Sequence, residues 1–276
     1  MSHVLVAPPS ASVERGTGGA IAGFVYKSYV IAELEVRRLR HDPTELLTRA
    51  AQPALWLLIF GEVFTRVRAI PTGGVPYLDF MAPGILAQSV LFVAIFSGLA
   101  LIWERDLGVV HKLFVSPTPR AALVVGKAIA AGVRSFSQVL IIYTIAVLLG
   151  VQMRWTPLAL VGVVATVLIG AAGFATLSLI IASLVRTRER FMGIGQLITM
   201  PLFFASNAIY PLAIMPPWLH VVARVNPLSY EVDALRALMI PSGTSTFGLA
   251  TDFAVLIVST IVLVAIAAET YPRVVR

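Results

Sequence analysis

The chain has 276 residues, 58% of them hydrophobic and 13% charged, against roughly 25% charged in an ordinary soluble domain, so a soluble fold is the wrong starting point. Lys and Arg outnumber Asp and Glu by 21 to 14, but so few charges orient a chain in a bilayer rather than form a nucleic-acid surface. There is no cysteine, which excludes disulfides, thiolate metal sites and cysteine nucleophiles; the histidines (His3, His41, His111, His220) are too scattered for a local metal-ligand motif.

Residues 1–20, rich in Pro, Ser and Gly, lack the continuous apolar core of a signal peptide and read as a disordered cytoplasmic tail; residues 21–276 read as one all-α transmembrane domain. Over residues 24–41 the apolar positions Val25, Tyr29, Ala32, Val36 and Leu39 recur at helical spacing, with Lys27, Glu33, Arg37 and Arg40 mostly opposite. That pattern predicts an amphipathic helix in the membrane surface, the alternative being a soluble helix packed on a partner. Six mostly apolar stretches then have the length of a membrane span: 46–65, with Pro53 as a kink, 80–103, 121–150, 157–185, 191–215 and 253–268. With both termini cytoplasmic, this arrangement puts sixteen Lys and Arg inside and five outside, a clear positive-inside bias, as expected for a multi-pass protein of the plasma membrane. Between the last two stretches, Pro216, Pro217, Trp218 and Pro227 interrupt an amphipathic run that predicts two short helices on the outer membrane face, with Trp218 and Tyr230 at the interface.

Catalytic signatures are missing: there are no Asp-rich motifs, no paired glutamates with histidine and no GxSxG. Gly126-Lys127 is not a phosphate loop, because Ala128 replaces the required Ser or Thr and no Gly stands five residues before Gly126. Arg134 sits near a span, where a charge costs about 2.5–3.5 kcal/mol at mid-bilayer. Either its helix begins as a cytoplasmic extension or Arg134 faces a wet cavity. Gln88, Gln138, Gln196 and Asn207 either line a pathway or tie helices together.

The hydrophilic segment 104–120 places Leu107, Val110 and Phe114 on one helical face and ends at Pro117, which predicts a short cytoplasmic helix suited to docking. Its Glu104-Arg105-Asp106-Leu107-Gly108, then Leu113, Pro117 and Arg120, resembles the loop of ABC type-2 exporter permeases. Near the end, Pro201 to Phe204, Ala208-Ile209-Tyr210-Pro211, Met215 to Leu219, and Asn226-Pro227-Leu228-Ser229-Tyr230 with Leu235-Arg236 resemble that family's C-terminal signature. Ser206-Asn207 stands where the family commonly has Ser-Gly. The resemblance covers roughly residues 24–270 and is closest to drug-type and nodulation-type permeases.

The resemblance implies a dimerising permease, paired with a second copy or a related permease, and a separate ABC nucleotide-binding ATPase subunit docked on the cytoplasmic face. ATP and Mg would be bound by that partner and no cofactor by this chain. It implies a coupling helix over about 104–117, with Glu104, Arg105, Leu107, Gly108, Val110, Phe114 and Pro117 as contacts, joined by Arg188 and Glu189 of the second cytoplasmic loop. The cargo would be a hydrophobic or amphiphilic molecule, a drug, a lipid or a lipid-linked molecule. A secondary transporter or channel would instead show inverted repeats and mid-membrane ionisable residues, and a membrane enzyme a polar constellation; neither pattern is evident.

Overall fold

The structure, a computed structural model, describes residues 51–67, 70–107, 120–185 and 187–270. The expected tail, the interfacial helix at 24–41, the first residues of the 46–65 stretch and most of the 104–117 segment lie outside the described residues. All described regular structure is helical. We number the helices α1 (51–67), α2 (Tyr77–Asp106), α3 (Arg120–Leu148), α4 (Pro157–Leu184), α5 (Arg188–Phe204), α6 (Pro217–Val225), α7 (Pro227–Met239) and α8 (Leu249–Thr270).

Local chemistry sets the boundaries. Pro157, Pro217 and Pro227 stand at the first positions of α4, α6 and α7, where a missing N–H costs nothing. Asn226 caps α7 by accepting from the Leu228 amide at 3.0 Å, and Thr187 caps α5 by accepting from the Arg190 amide at 3.3 Å. Gly150, at φ 78°, turns the chain out of α3. The kink expected at Pro53 takes the form of a π-turn over Trp56–Gly61 one turn later. That turn carries Trp56 stacked on Phe60 at 4.4 Å and edge-on to Phe203 of α5 at 5.9 Å, so aromatic contacts join α1 to the bundle.

Among the described residues, four helices are long and apolar enough to cross a membrane: Tyr77–Trp103, Val124–Leu148, Pro157–Leu184 and Leu249–Thr270. They correspond to the expected stretches 80–103, 121–150, 157–185 and 253–268. The stretch 191–215 is not one helix, because α5 stops at Phe204 after 17 residues, about 26 Å at helical rise. Pro201 removes one ladder donor, and the Ser206 hydroxyl then donates to the Phe203 carbonyl at 2.7 Å and accepts from the Ala208 amide at 3.2 Å. These bonds consume groups that a continuing helix would pair. Arg134 lies half-buried within the 29-residue α3, about 43 Å long and so longer than a ~30 Å hydrocarbon layer.

α4 is the central helix, touching α2, α3, α7 and α8. Small residues let the backbones approach: Gly170 lies against Glu231 of α7, Gly173 against Thr260 of α8, and Gly132 of α3 against Leu168 of α4. The closest approach is between Gly98 of α2 and Ser178 of α4. The Gly98 amide donates to the Ser178 hydroxyl at 2.9 Å, and that hydroxyl donates to the Ile95 carbonyl.

The two short helices between α5 and α8 exist, but only α6 is surface-like, with Trp218, Val221, Val222 and Val225 exposed. α7 is buried among α2, α4 and α8, deeper than the sequence predicts. It runs antiparallel to α4: Leu238 meets Gly162 and Glu231 meets Gly170, the latter thirteen residues, or about 20 Å, along α4 from Pro157. Its C-terminal carbonyl, Met239, accepts from the Arg154 amide at 2.7 Å and so fixes α7 to the α3–α4 connection.

The close approach predicts that Gly98→Leu, whose added carbons would meet Ser178 and the Phe191 ring, destabilises the bundle by about 1–3 kcal/mol. A lowered thermal midpoint of the detergent-solubilised protein measures it, with Gly193→Leu, at a glycine with open space, near wild type.

Candidate functional site

Two polar clusters stand at opposite ends of the bundle. The first lies at the basic end, where α2 and α4 finish and α5 begins. Asp106, in the last turn of α2, accepts from Arg188 Nη2 at 2.9 Å and from Arg188 Nε at 3.2 Å. The same guanidinium stacks 4.3 Å over the Trp103 ring. Arg105 Nη1 donates to the carbonyl of Val185 at 3.2 Å, putting a cation at the C-terminus of α4, where the helix dipole favours it. Its Nη2 reaches Asp106 at 3.4 Å.

This cluster joins two segments that sequence reading singled out separately, through Arg105 and Arg188. Asp106 and Trp103, which make the joint, were not assigned; the acidic residue after Glu104-Arg105 was the available signal. Glu104 belongs to the last helical turn of α2 rather than to the start of a separate helix. Leu107 follows it and is exposed, as is Glu189 in the first turn of α5. Gly108, Val110, Phe114 and Pro117 lie outside the described residues.

Magnitudes decide what such a joint can do. The Asp106 and Arg188 side chains are 38% and 41% exposed, so the pair contributes at most about 1 kcal/mol, and the stack over Trp103 adds about 0.5–1 kcal/mol. The helix ends are held by contacts weak enough to exchange.

The second cluster is built on α7 around the buried Asp233. Asp233 accepts from the amides of Thr246 at 2.6 Å and Phe247 at 2.9 Å, and from the hydroxyls of Thr246 at 3.0 Å and Ser245 at 3.1 Å. Ser245 Oγ also lies 2.7 Å from the Asp252 carboxylate of α8, so the two carboxylates share its one hydroxyl proton. Arg236 donates through Nη2 to the carbonyl of Asn207 at 2.7 Å, and its guanidinium lies 3.8 Å over the Phe80 ring. Burial draws Arg236 down to about 10 against the pull of Asp233, which leaves it a cation at neutral pH. Asn207 and Arg236 were visible in the sequence motif, but their roles as the clamp of α7 were not. Gln196 is exposed on α5. Among the described residues no group of His, Cys, Asp and Glu could hold a metal.

The exposed joint predicts a small, salt-sensitive coupling. Asp106→Asn and Arg188→Gln should each lower stability by less than about 1 kcal/mol, and the double variant should fall by less than their sum, with the difference vanishing at high salt. Unfolding midpoints of the four proteins at low and high ionic strength measure this.

Comparison with known proteins fits this architecture. The family model described as ABC-2 type transporter matches residues 27–240. The chain is 31% identical over 217 residues to the ycf38 protein of Cyanophora paradoxa, named as a transport permease, covering 78% of this chain and 74% of that one. It is 25% identical to the daunorubicin resistance ABC transporter permease protein DrrB1 of Streptomyces coeruleorubidus, covering 75% and 72%. It is also 25% identical to nodulation protein J of Rhizobium leguminosarum bv. trifolii, covering 71% and 74%. With three of the four long apolar helices, a proline-broken α5 and an Asn-Pro start to α7 inside the matched region, the chain belongs to the ABC-2 type transporter family and is a multi-pass membrane permease.

Proposed function

We propose that this permease is the membrane subunit of an ATP-driven exporter of hydrophobic or amphiphilic molecules, working with a separate ABC ATPase that binds ATP and Mg. The observation that carries this reading is the joint of Asp106, Arg188 and Arg105, which ties the ends of α2, α4 and α5 beside the two segments suited to an ATPase contact. In this reading the basic end is cytoplasmic, as the sixteen-to-five charge bias favours. α1 and α5 complete six membrane passages, and two permease copies form the working unit. Segment 104–117 docks on the ATPase, with Leu107, Val110 and Phe114 against a groove, Glu104, Gly108 and Pro117 shaping the approach and Glu189 adding a second contact. A push there reaches three helix ends at once because Asp106 and Arg105 are already bonded to α5 and α4.

Affinity purification of the full chain from its native membranes tests this. A polypeptide with a phosphate loop should copurify, and ATP hydrolysis should follow that polypeptide. Phe114→Asp should lower its recovery at least about tenfold, because an unpaired carboxylate would be buried in the contact. Turnover by the chain freed of that polypeptide, or transport driven by an ion gradient alone, would overturn the reading.

Orientation has its own test in this cysteine-free chain. Ser242→Cys should react with a membrane-impermeant thiol reagent in intact cells, and Lys112→Cys only after permeabilisation; the reverse pattern would invert the topology.

A further inference from the structure

α1, α2 and α3 leave a cavity of about 340 Å³ between them, within the roughly 300–1,000 Å³ of small-molecule sites. Its polar lining is Gln52 of α1, Gln88 and Ser89 of α2, and Gln138 of α3; Phe92 and Phe96 form much of its apolar wall. Gln88 and Gln138 are 4% and 1% exposed. A glutamine that tied helices together would bond across the gap, yet among the described residues the Gln88 carboxamide has no hydrogen-bond partner. Gln138 reaches only its own neighbour, Ser137, at 3.4 Å. The unpaired carboxamide atoms therefore open on the cavity rather than being sealed in the core, free to bond something that enters it.

Depth limits what that is. Gln88 lies eleven residues along α2 from Tyr77, and Gln138 ten residues before the end of α3 at Leu148. Both are therefore about 15–17 Å from that end of the bundle, near the middle of a ~30 Å hydrocarbon layer. Charge limits it further. None of the eight described lining residues is charged, so an ionised headgroup would be desolvated there with no counter-charge in the lining. Arg134, one turn from Gln138 on α3, also opposes a cation. Carboxamides and a serine hydroxyl offer donors and acceptors together, which suits hydroxyl, ether or carbonyl groups. The mouth is marked by Gln52, exposed, and by Phe96, 49% exposed, so an apolar tail can leave the cavity along aromatic surface.

We infer that the cavity between α1, α2 and α3 binds the uncharged polar part of an amphiphile bearing hydroxyl or carbonyl groups, its apolar part lying over Phe92 and Phe96. This names the substrate class of the proposed permease, and its role in transport rests on that reading; binding itself needs no ATPase.

The test uses the full chain in lipid nanodiscs and three photoactivatable amphiphiles with the same twelve-carbon, diazirine-bearing tail. Their headgroups are a glucoside, a trimethylammonium and a phosphate, and adducts are located by mass spectrometry. The glucoside should label α2 around Phe92 and Phe96 saturably, while the charged probes label without saturation. Gln88→Leu with Gln138→Leu should weaken glucoside labelling about tenfold, as expected for two lost hydrogen bonds. Phe96→Ala, at a half-exposed position that does not endanger folding, should weaken it severalfold. Equal labelling by all three headgroups, preference for a charged one, or indifference to all these substitutions would overturn the inference. Because labelling needs no partner, its failure alongside a copurifying ATPase removes the cavity and leaves the permease reading. Saturable labelling without any ATPase does the reverse.

Discussion

Helices in a bilayer gain little from hiding apolar surface from one another, so they hold together where backbones come close enough for dispersion and hydrogen bonding. α4 meets that condition on several sides. Gly162 and Gly170 admit α7, Gly173 admits α8, and Ser178 meets the backbone of α2 at Gly98. A larger residue at any of these positions would push a neighbour outward. The cavity beside Gln88 and Gln138 exists because this close fit is absent where α1, α2 and α3 face each other.

The two polar clusters differ in strength for the same reason. Around Asp233 the carboxylate itself is buried, so breaking its bonds leaves an unpaired charge in surroundings that solvate it poorly. Around Asp106 the groups are partly wet and water replaces a lost bond cheaply. The contacts at the basic end therefore exchange more readily than those that hold Asp233.

Much of this organisation was legible in the sequence because composition and length report burial directly. The stretches 80–103, 121–150, 157–185 and 253–268 correspond to α2, α3, α4 and α8 within a few residues. The fifth stretch misled because hydropathy does not register a helix broken by Pro201 and Ser206 when the chain after the break stays apolar. The depth of α7 was hidden for the opposite reason. Glu231, Asp233 and Arg236 mark a short segment as surface-like, whereas their burial depends on partners far away in sequence, such as Asn207 and Phe80. The contact residues Arg105 and Arg188 could be chosen from their segments, but their meeting through Asp106 depends on where three helices end.

The burial of α7 also constrains how the protein is made. A helix carrying Glu231, Asp233 and Arg236 cannot partition into lipid by itself, since each ionised group costs a few kcal/mol on insertion scales. The groups that receive it come from both directions along the chain: Asn207 and Phe80 precede it, while Ser245, Thr246 and the α8 surface follow. During synthesis, α7 therefore leaves the ribosome before its seat is complete and waits in water or in the translocon until α8 has threaded. α8, made after α7, closes the fold around it, and a chain truncated before Leu249 would leave a charged helix without the α8 surface that receives it.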